Sequence, residues 1–346
     1  MTANQFAKAA LCTGILVMIF LFGWEFYLRK SGVPIAFDDD KTLWAHKRAM
    51  VYKPKVDATV FVGSSRNKFD LDIATWKALT NDHPIQLAKE GSSPLPILDD
   101  LGKDKNFKGK LVIDVTEGIF FSTSAFSLKD PTEHVVYYKE RTPAQQFSFH
   151  VNNILESNLV MLNKNYYSLN ALFERLPLKK REGVFALPYG CPRDFGEVNF
   201  DRQTVMSQKF LADTGMQNQV KGLWDFYRKI DKEPQADVRK TDSIIATVKV
   251  AVDKIKSRGG QVIFVRSPSS GPIWAGEQQA FPREKYWEKL LTATATPGIH
   301  FNDFEAINHF ICPEFSHLSQ QDAVKYTTAL VGILQDKYGW SFKKKS

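Results

Sequence analysis

The stretch Ala58-Thr59-Val60-Phe61-Val62-Gly63-Ser64-Ser65 lies near the start of this 346-residue chain. Its first five residues are apolar or β-branched, which is typical of a strand buried on both faces of a parallel sheet. Gly63 and the two serines favour a sharp turn where that strand ends. Strand-to-helix loops at the carboxyl edge of such a sheet bind ligands. The stretch therefore predicts an α/β protein with a serine hydroxyl at that edge.

Further apolar segments complete the predicted sheet. Strands are expected near residues 58–62, 85–88, 111–115, 261–265 and 298–301. The amphipathic pattern from Thr241 to Arg258 leads through Gly259-Gly260 into the fourth strand, as in a helix–strand unit of a parallel sheet.

Residues from about 123 to 235 interrupt this pattern. They include a stretch from Pro143 to Leu176 that is expected to be helical. We interpret the segment as an insertion over the ligand crevice, which serves either as a lid or as a docking surface.

A second motif, Glu314-Phe315-Ser316-His317, lies near the C-terminus. An acid three residues before a histidine can lie on the same side of one turn. Glu314 would then orient His317, and His317 would accept the proton of a serine nucleophile, Ser65. Taken separately, the motifs have plain structural interpretations: Gly-Ser-Ser as a simple turn and His317 as a surface histidine.

Together the motifs resemble the SGNH (GDSL-like) hydrolase and acyltransferase family, in particular its membrane-anchored bacterial envelope branch. The sequence around Ser65 is similar to the family's first block, and Glu314 with His317 is similar to the last block, with glutamate in place of aspartate. Residues 85–93 fit the second block, which makes Gly91 the candidate oxyanion-hole glycine, acting with the N–H of Ser65. The third block's Gly-x-Asn-Asp has no counterpart, since residues 111–118 supply a strand but no asparagine.

The resemblance covers residues 57–122 and 240–337 and implies a flavodoxin-like three-layer α/β/α sandwich with a parallel sheet. The catalytic domain is then expected at 57–340, with the insertion at about 123–235.

Two arginines are further site candidates. Arg66 follows the predicted nucleophile and Arg266 follows the fourth strand. Each arginine could bind an anionic or acyl-carrier substrate, or could replace the missing oxyanion donor. The structural alternative is that each pairs with a local carboxylate such as Glu117.

The N-terminus carries an apolar stretch, residues 9–28, long enough to cross a bilayer as a helix. It predicts a membrane anchor at 1–30, followed by a juxtamembrane connector at 31–56. A cleaved signal peptide is the rival interpretation, but no small-residue cleavage site follows, and Trp24, Phe26 and Tyr27 resemble an interfacial aromatic belt. The flanking positive charges leave the orientation open. The family resemblance implies a single pass in the inner (cytoplasmic) membrane with the catalytic domain in the periplasm.

Composition and charge limit the classes of molecule that the protein is expected to bind. The net charge of +8 suits anionic lipid headgroups or an acidic polysaccharide, and no nucleic-acid-binding motif accompanies it. No zinc-ligand spacing occurs, so neither a metal nor another cofactor is expected. Cys191 and Cys312 are either a disulfide pair or two free thiols.

The family resemblance implies a serine esterase or O-acyltransferase. Its substrates would be acyl esters, commonly acetyl, of a cell-envelope polysaccharide or related glycan, and a multi-spanning membrane acyltransferase would be its partner. Hydrolysis and transfer share an acyl-serine intermediate and stay open at this point. Two alternatives remain: a non-catalytic glycan-binding or scaffolding module, and a lipase or thioesterase.

Overall fold

The computed structural model describes residues 2–53, 58–167, 190–230 and 238–342, together with residues 171, 173 and 176. The chain divides into two compact units. One comprises Met1–Asp38 and Pro143–Phe185, and the other comprises Asp39–Thr142 and Ala186–Ser346.

The larger unit is built on a parallel sheet of five strands. The strands of the chain are β1 (Ala58–Val62), β2 (His83–Gln86), β3 (Lys110–Asp114), β4 (Glu197–Val198), β5 (Thr204–Val205), β6 (Gln261–Arg266) and β7 (Gly298–His300). The sheet has the order β2-β1-β3-β6-β7, and every neighbouring pair is parallel. β4 and β5 form a separate antiparallel pair. The predicted α/β class with a parallel sheet is confirmed.

Helices cover both faces of the sheet because each central strand is apolar on both sides. In β1, Val60 and Val62 enter one hydrophobic core and Phe61 enters the other. The α-helices of this unit are Lys41–Met50, Ser65–Asp70, Ile73–Thr80, Leu95–Lys103, Glu117–Phe120, Ala125–Glu140, Gln208–Ala212, Thr214–Ile230, Val238–Ser257, Gly271–Ala280, Trp287–Thr294 and Gln320–Tyr338. Its short 3-10 helices are Arg193–Phe195, Arg283–Lys285 and Phe301–Asp303.

Part of the predicted connector belongs to the α/β core. Asp40 caps the helix Lys41–Met50 by accepting the N–H groups of Thr42 and Leu43. Trp44 in this helix is fully buried, and its Nε1 donates to the carbonyl of Leu87 at 2.9 Å. Burial of this side chain makes the helix part of the hydrophobic core, a role that its local sequence does not reveal. The last residues of the connector, 54–56, lie outside the described residues.

The predicted insertion is shared between the two units. Its first helix, Ala125–Glu140, packs Val135 into the core beside β3, so it belongs to the α/β unit. Arg202 ties the segment 190–230 to the same unit, since its guanidinium donates to the carbonyls of Gln86 and Ala88 and pairs with Asp39. The stretch between these two parts belongs to the smaller unit.

The smaller unit contains the N-terminal helix, Ala3–Lys30, and the helices Pro143–Glu156, Val160–Leu162 (3-10) and Lys164–Tyr167. Most of the predicted helix beyond residue 167 lies outside the described residues. Leu28, Val33 and Val160 are buried together at the end of the N-terminal helix. Among the described residues, this helix alone is long and apolar enough to cross a membrane.

Candidate active site

The turn after β1 presents Ser65 at the carboxyl edge of the sheet. Gly63 is required there, because a Cβ at this position would lie 2.5 Å from the Cβ of Asp114 on the neighbouring strand β3. Ser64 is buried and its hydroxyl hydrogen-bonds with Thr116 Oγ1 at 3.0 Å. Ser65 begins the helix Ser65–Asp70 and is partly exposed. Of the two serines, Ser65 is therefore the one that a ligand can reach.

Ser65, His317 and Glu314 form a continuous chain of hydrogen bonds. Ser65 Oγ lies 2.8 Å from His317 Nε2, and His317 Nδ1 lies 2.9 Å from Glu314 Oε1. Both distances are within the reach required between a nucleophile, its base and the group that orients the base. The structure thus brings together the three residues that the sequence selects.

A tight turn places Glu314 next to His317. Phe315 between them has φ 78°, a left-handed conformation that costs a residue with a side chain about 1 kcal/mol or more. The turn is held by hydrogen bonds from Phe315 N to the Cys312 carbonyl and from Ser270 N to the Phe315 carbonyl. The Glu314 carboxylate also accepts the backbone N–H of His317 at 2.6 Å.

The turn is also bound to the helix that carries the serine. Asp70, at the end of the helix Ser65–Asp70, accepts the N–H of Leu318 at 2.9 Å. Arg66, at the start of that helix, donates to the Ser316 carbonyl at 3.3 Å. These two contacts fix the position of His317 relative to Ser65.

Glu314 is held as an anion in a buried place. Its side chain is 0% exposed, and Oε2 accepts a hydrogen bond from Trp224 Nε1 of the helix Thr214–Ile230. Burial opposes ionisation, but His317 and the donated hydrogen bonds outweigh it, so the pKa of Glu314 lies below its ordinary value. An ionised Glu314 can stabilise the positive charge that His317 acquires when it takes a proton.

Aromatic rings surround His317. The centroid of Phe69 lies 4.4 Å from that of His317, Phe195 lies at 6.0 Å, and Trp224 lies at 6.1 Å. Phe195 and Trp224 come from the segment 190–230, which sequence analysis assigned only as part of an insertion. This segment therefore forms a wall of the site.

Gly91 lies in the turn that follows β2, at the same edge of the sheet. It is exposed and has φ 60°, which suits glycine. The N–H of Lys89 donates to the Gly63 carbonyl at 3.1 Å, which ties this turn to the one that carries Ser65. The nearby amide of Asn67 is occupied, since its Nδ2 donates to the Val62 carbonyl at 3.0 Å.

Arg66 and Arg266 lie in a buried ion-pair cluster rather than on an open surface. Both pair with Glu277, and Arg266 also lies 3.3 Å from Glu117. Their exposed fractions are only 2% and 0%. Burial opposes ionisation of Glu277, but Arg266 and Arg66 outweigh it and lower the pKa of Glu277 to about 2. The contacts favour the ion-pair interpretation for both arginines, with Glu277 as the partner that the sequence did not indicate.

Cys191 and Cys312 are free thiols in the structure, so the disulfide interpretation is not supported. Cys312 is buried, and burial raises the pKa of its thiol. No group of three or more His, Cys, Asp or Glu side chains suited to a metal ion occurs within the described part of the chain.

Sequence reasoning missed three residues of the site: Trp224, Glu277 and Asp70. Trp224 lies in a helix whose apolar positions indicate only packing, and a tryptophan N–H carries no local sign of its acceptor. Asp70 lies five residues after Ser65 and looks like an ordinary helix end.

No family model matches this sequence, and a search of curated proteins finds no relative of it.

Proposed function

We propose that this protein is a membrane-anchored, extracytoplasmic serine esterase or O-acyltransferase of the SGNH type. The observation that carries the proposal is the hydrogen-bonded chain from Ser65 through His317 to the buried Glu314. The strand order β2-β1-β3-β6-β7 supports the finer assignment to a flavodoxin-like sandwich, in which ligands bind at the carboxyl edge of the strands. The serine lies at that edge.

The first half of the reaction forms an acyl-serine. Ser65 Oγ attacks the carbonyl carbon of an acyl ester while its proton passes to His317 Nε2. Glu314 stabilises the resulting imidazolium through Nδ1. The tetrahedral intermediate then collapses, the bond to the leaving alcohol breaks, and that alcohol takes the proton from His317.

The second half releases the acyl group. Water or a sugar hydroxyl gives its proton to His317 and attacks the acyl carbon, which forms a second tetrahedral intermediate. When this intermediate collapses, the bond between the acyl carbon and Ser65 Oγ breaks, and Ser65 Oγ takes the proton back from His317. Hydrolysis and transfer differ only in the molecule that accepts the acyl group, so one site can carry out both reactions.

Two backbone N–H groups are proposed to hold the oxyanion. The N–H of Ser65 belongs to the first residue of a helix, where it has no acceptor within that helix. The N–H of Gly91 would be the second donor. Arg66 and Arg266 are not assigned this role, because their guanidinium groups pair with the carboxylates of Glu277 and Glu117. We propose Arg66 as a positioning residue, since it holds the turn that carries His317.

The proposed substrates are acyl esters, commonly acetyl, of a cell-envelope polysaccharide or related glycan. This part of the proposal rests on the family resemblance, with support from the apolar N-terminal helix and the net charge of +8. On the same ground, a multi-spanning membrane acyltransferase is proposed as the acyl donor. The resemblance also leads us to propose that the site lies in the periplasm and that the anchor lies in the inner membrane.

A fluorophosphonate probe tests the proposed chemistry directly. We would treat the full chain in detergent with the probe and measure the intact mass of wild type, Ser65→Ala, Ser64→Ala and His317→Ala. We expect one adduct on wild type and on Ser64→Ala, and none on the other two. Ser64→Ala is the matched control because its hydroxyl is adjacent in sequence but buried.

Absence of the adduct on folded wild type would contradict an activated serine and favour the non-catalytic glycan-binding module. If the adduct forms, incubation with an acetylated glycan separates the two reactions. Free acetate indicates hydrolysis, and movement of isotopically labelled acetyl to a second glycan indicates transfer.

A further inference from the structure

The helix Pro143–Glu156 has an apolar face that is exposed. Phe147, Val151, Ile154 and Leu155 are 69%, 42%, 64% and 44% exposed. Their spacing of i, i+4, i+7 and i+8 places them on one face of the helix. We name these four side chains the apolar face. A contiguous exposed patch of this kind marks a contact surface.

Polar contacts tie the chain just after this helix to the end of the N-terminal helix. The Glu25 carboxylate accepts the backbone N–H groups of Val160 at 3.0 Å and Met161 at 2.9 Å. Arg29 donates to the carbonyl of Asn158 at 2.6 Å. All these residues belong to the same compact unit, so the position of the helix is set relative to the N-terminal helix.

The end of the N-terminal helix has the features of a bilayer surface. The side chains before it are apolar and exposed, including Phe20 at 62%, as expected for positions that face lipid. Trp24 and Tyr27 then stack with ring centroids 5.5 Å apart, and Arg29 and Lys30 follow. Aromatic rings followed by basic residues are typical of the level of the lipid headgroups. The contacts of Glu25 and Arg29 therefore lie at that depth.

We infer that the apolar face of Pro143–Glu156 lies in the boundary between headgroups and acyl chains of the membrane that the N-terminal helix spans. The helix carries one carboxylate, Glu156, and no lysine or arginine. Its attraction to the membrane rests on apolar burial, and an anionic lipid is not required. The protein thus has a second contact with lipid, and this contact is independent of the chemistry proposed at Ser65.

Spin labels on opposite faces of the helix test this inference. We would place single labelled cysteines at Ile154 on the apolar face and at Asn152, an exposed polar position of the same helix. The background is the full chain with Cys12→Ser and Cys191→Ser; Cys312 stays because it is 1% exposed. The protein is reconstituted in phosphatidylcholine liposomes. Power saturation then gives the accessibility of each label to oxygen, which concentrates in lipid, and to a water-soluble nickel chelate.

We expect the ratio of oxygen to nickel accessibility to be severalfold higher at Ile154→Cys than at Asn152→Cys. Equal ratios would show that the apolar face lies in water, which overturns the inference. A label at 154 that is shielded from both reagents would show that protein covers the face, either a second copy or a partner, and would also overturn it.

A third label, Phe20→Cys, tests the premise of the inference. This side chain should be accessible to oxygen and protected from nickel. Free access of nickel would show that the N-terminal helix does not span the bilayer, and the inference falls with it.

Discussion

Replacing Trp224 with phenylalanine tests how the site keeps Glu314 in place. The substitution keeps an aromatic ring against His317, whose centroid lies 6.1 Å away, and removes the Nε1–H that donates to Glu314 Oε2. A hydrogen bond to a charged group contributes about 1.5–3 kcal/mol, which corresponds to a rate factor of about ten to a hundred. Two hydrogen bonds from His317 to Glu314 remain, and Trp224 is only partly buried. We therefore expect an effect at the lower end of this range of rate factors. The reaction of Ser65 with the fluorophosphonate probe should be about tenfold slower.

The pH dependence distinguishes this role from a purely structural one. Because the Trp224 hydrogen bond favours the charged form, its loss raises the pKa of Glu314. In the proposed mechanism, the ionised form of Glu314 is the active one. On the acid side of the pH profile, the labelling rate of Trp224→Phe should therefore fall at a higher pH than that of wild type. Second-order rate constants of labelling, measured across pH, report both effects.

Tyr227→Phe is the matched control for this substitution. Tyr227 lies on the same helix beside Trp224, with ring centroids 6.4 Å apart, and is 49% exposed. It should react at the wild-type rate with an unchanged pH profile. A folded Trp224→Phe variant that labels within twofold of wild type, with its acid limb in the same place, would refute the role of Trp224.

Three further predictions concern stability and the choice of serine. Ser64→Ala should keep probe labelling, unlike Ser65→Ala, and an unlabelled, folded Ser64→Ala would contradict this. It should also lower the free energy of unfolding in urea by about 1–2 kcal/mol, since the buried hydroxyl of Thr116 loses a partner. Arg266→Met should lower the same free energy by about 3–5 kcal/mol, because the buried Glu117 loses its arginine and Glu277 loses one of its two; a change below about 1 kcal/mol would argue against a structural role. Burial, with nearby arginines, lowers the pKa of His300 to about 3, so the unfolded chain binds a proton that the folded chain excludes and stability falls as pH drops from about 6.5 towards 3. Melting temperatures over that range should fall less steeply for His300→Gln than for wild type, and parallel curves would disprove the assignment.

The sheet was predictable because its signals are local. A strand such as β1 is recognised from five consecutive apolar residues, and the predicted strands lie within two residues of the observed ones. The prediction is less accurate for β2, which begins at His83, two residues before the predicted stretch 85–88, and ends at Gln86.

Ser65, His317 and Glu314 could be selected as candidates because their motifs are also short. Ser65 follows a strand directly, and Glu314 lies three residues before His317. The local motifs do not predict the hydrogen bond that joins Ser65 to His317, since 252 residues separate them. A parallel sheet brings such distant loops to one edge, and only the family resemblance linked them in advance.

Sequence alone determined which stretches form the sheet, which helix suits a membrane, and which serine, histidine and glutamate are candidates, because each depends on neighbours within a few positions. The tertiary structure decided how buried polar groups find partners. Trp224 donates to Glu314 across 90 residues of sequence, and Arg66 donates to Glu277 across 211. A charge removed from water needs a partner, and the fold can supply that partner from any part of the chain. No local sequence pattern therefore indicates which distant residue it will be.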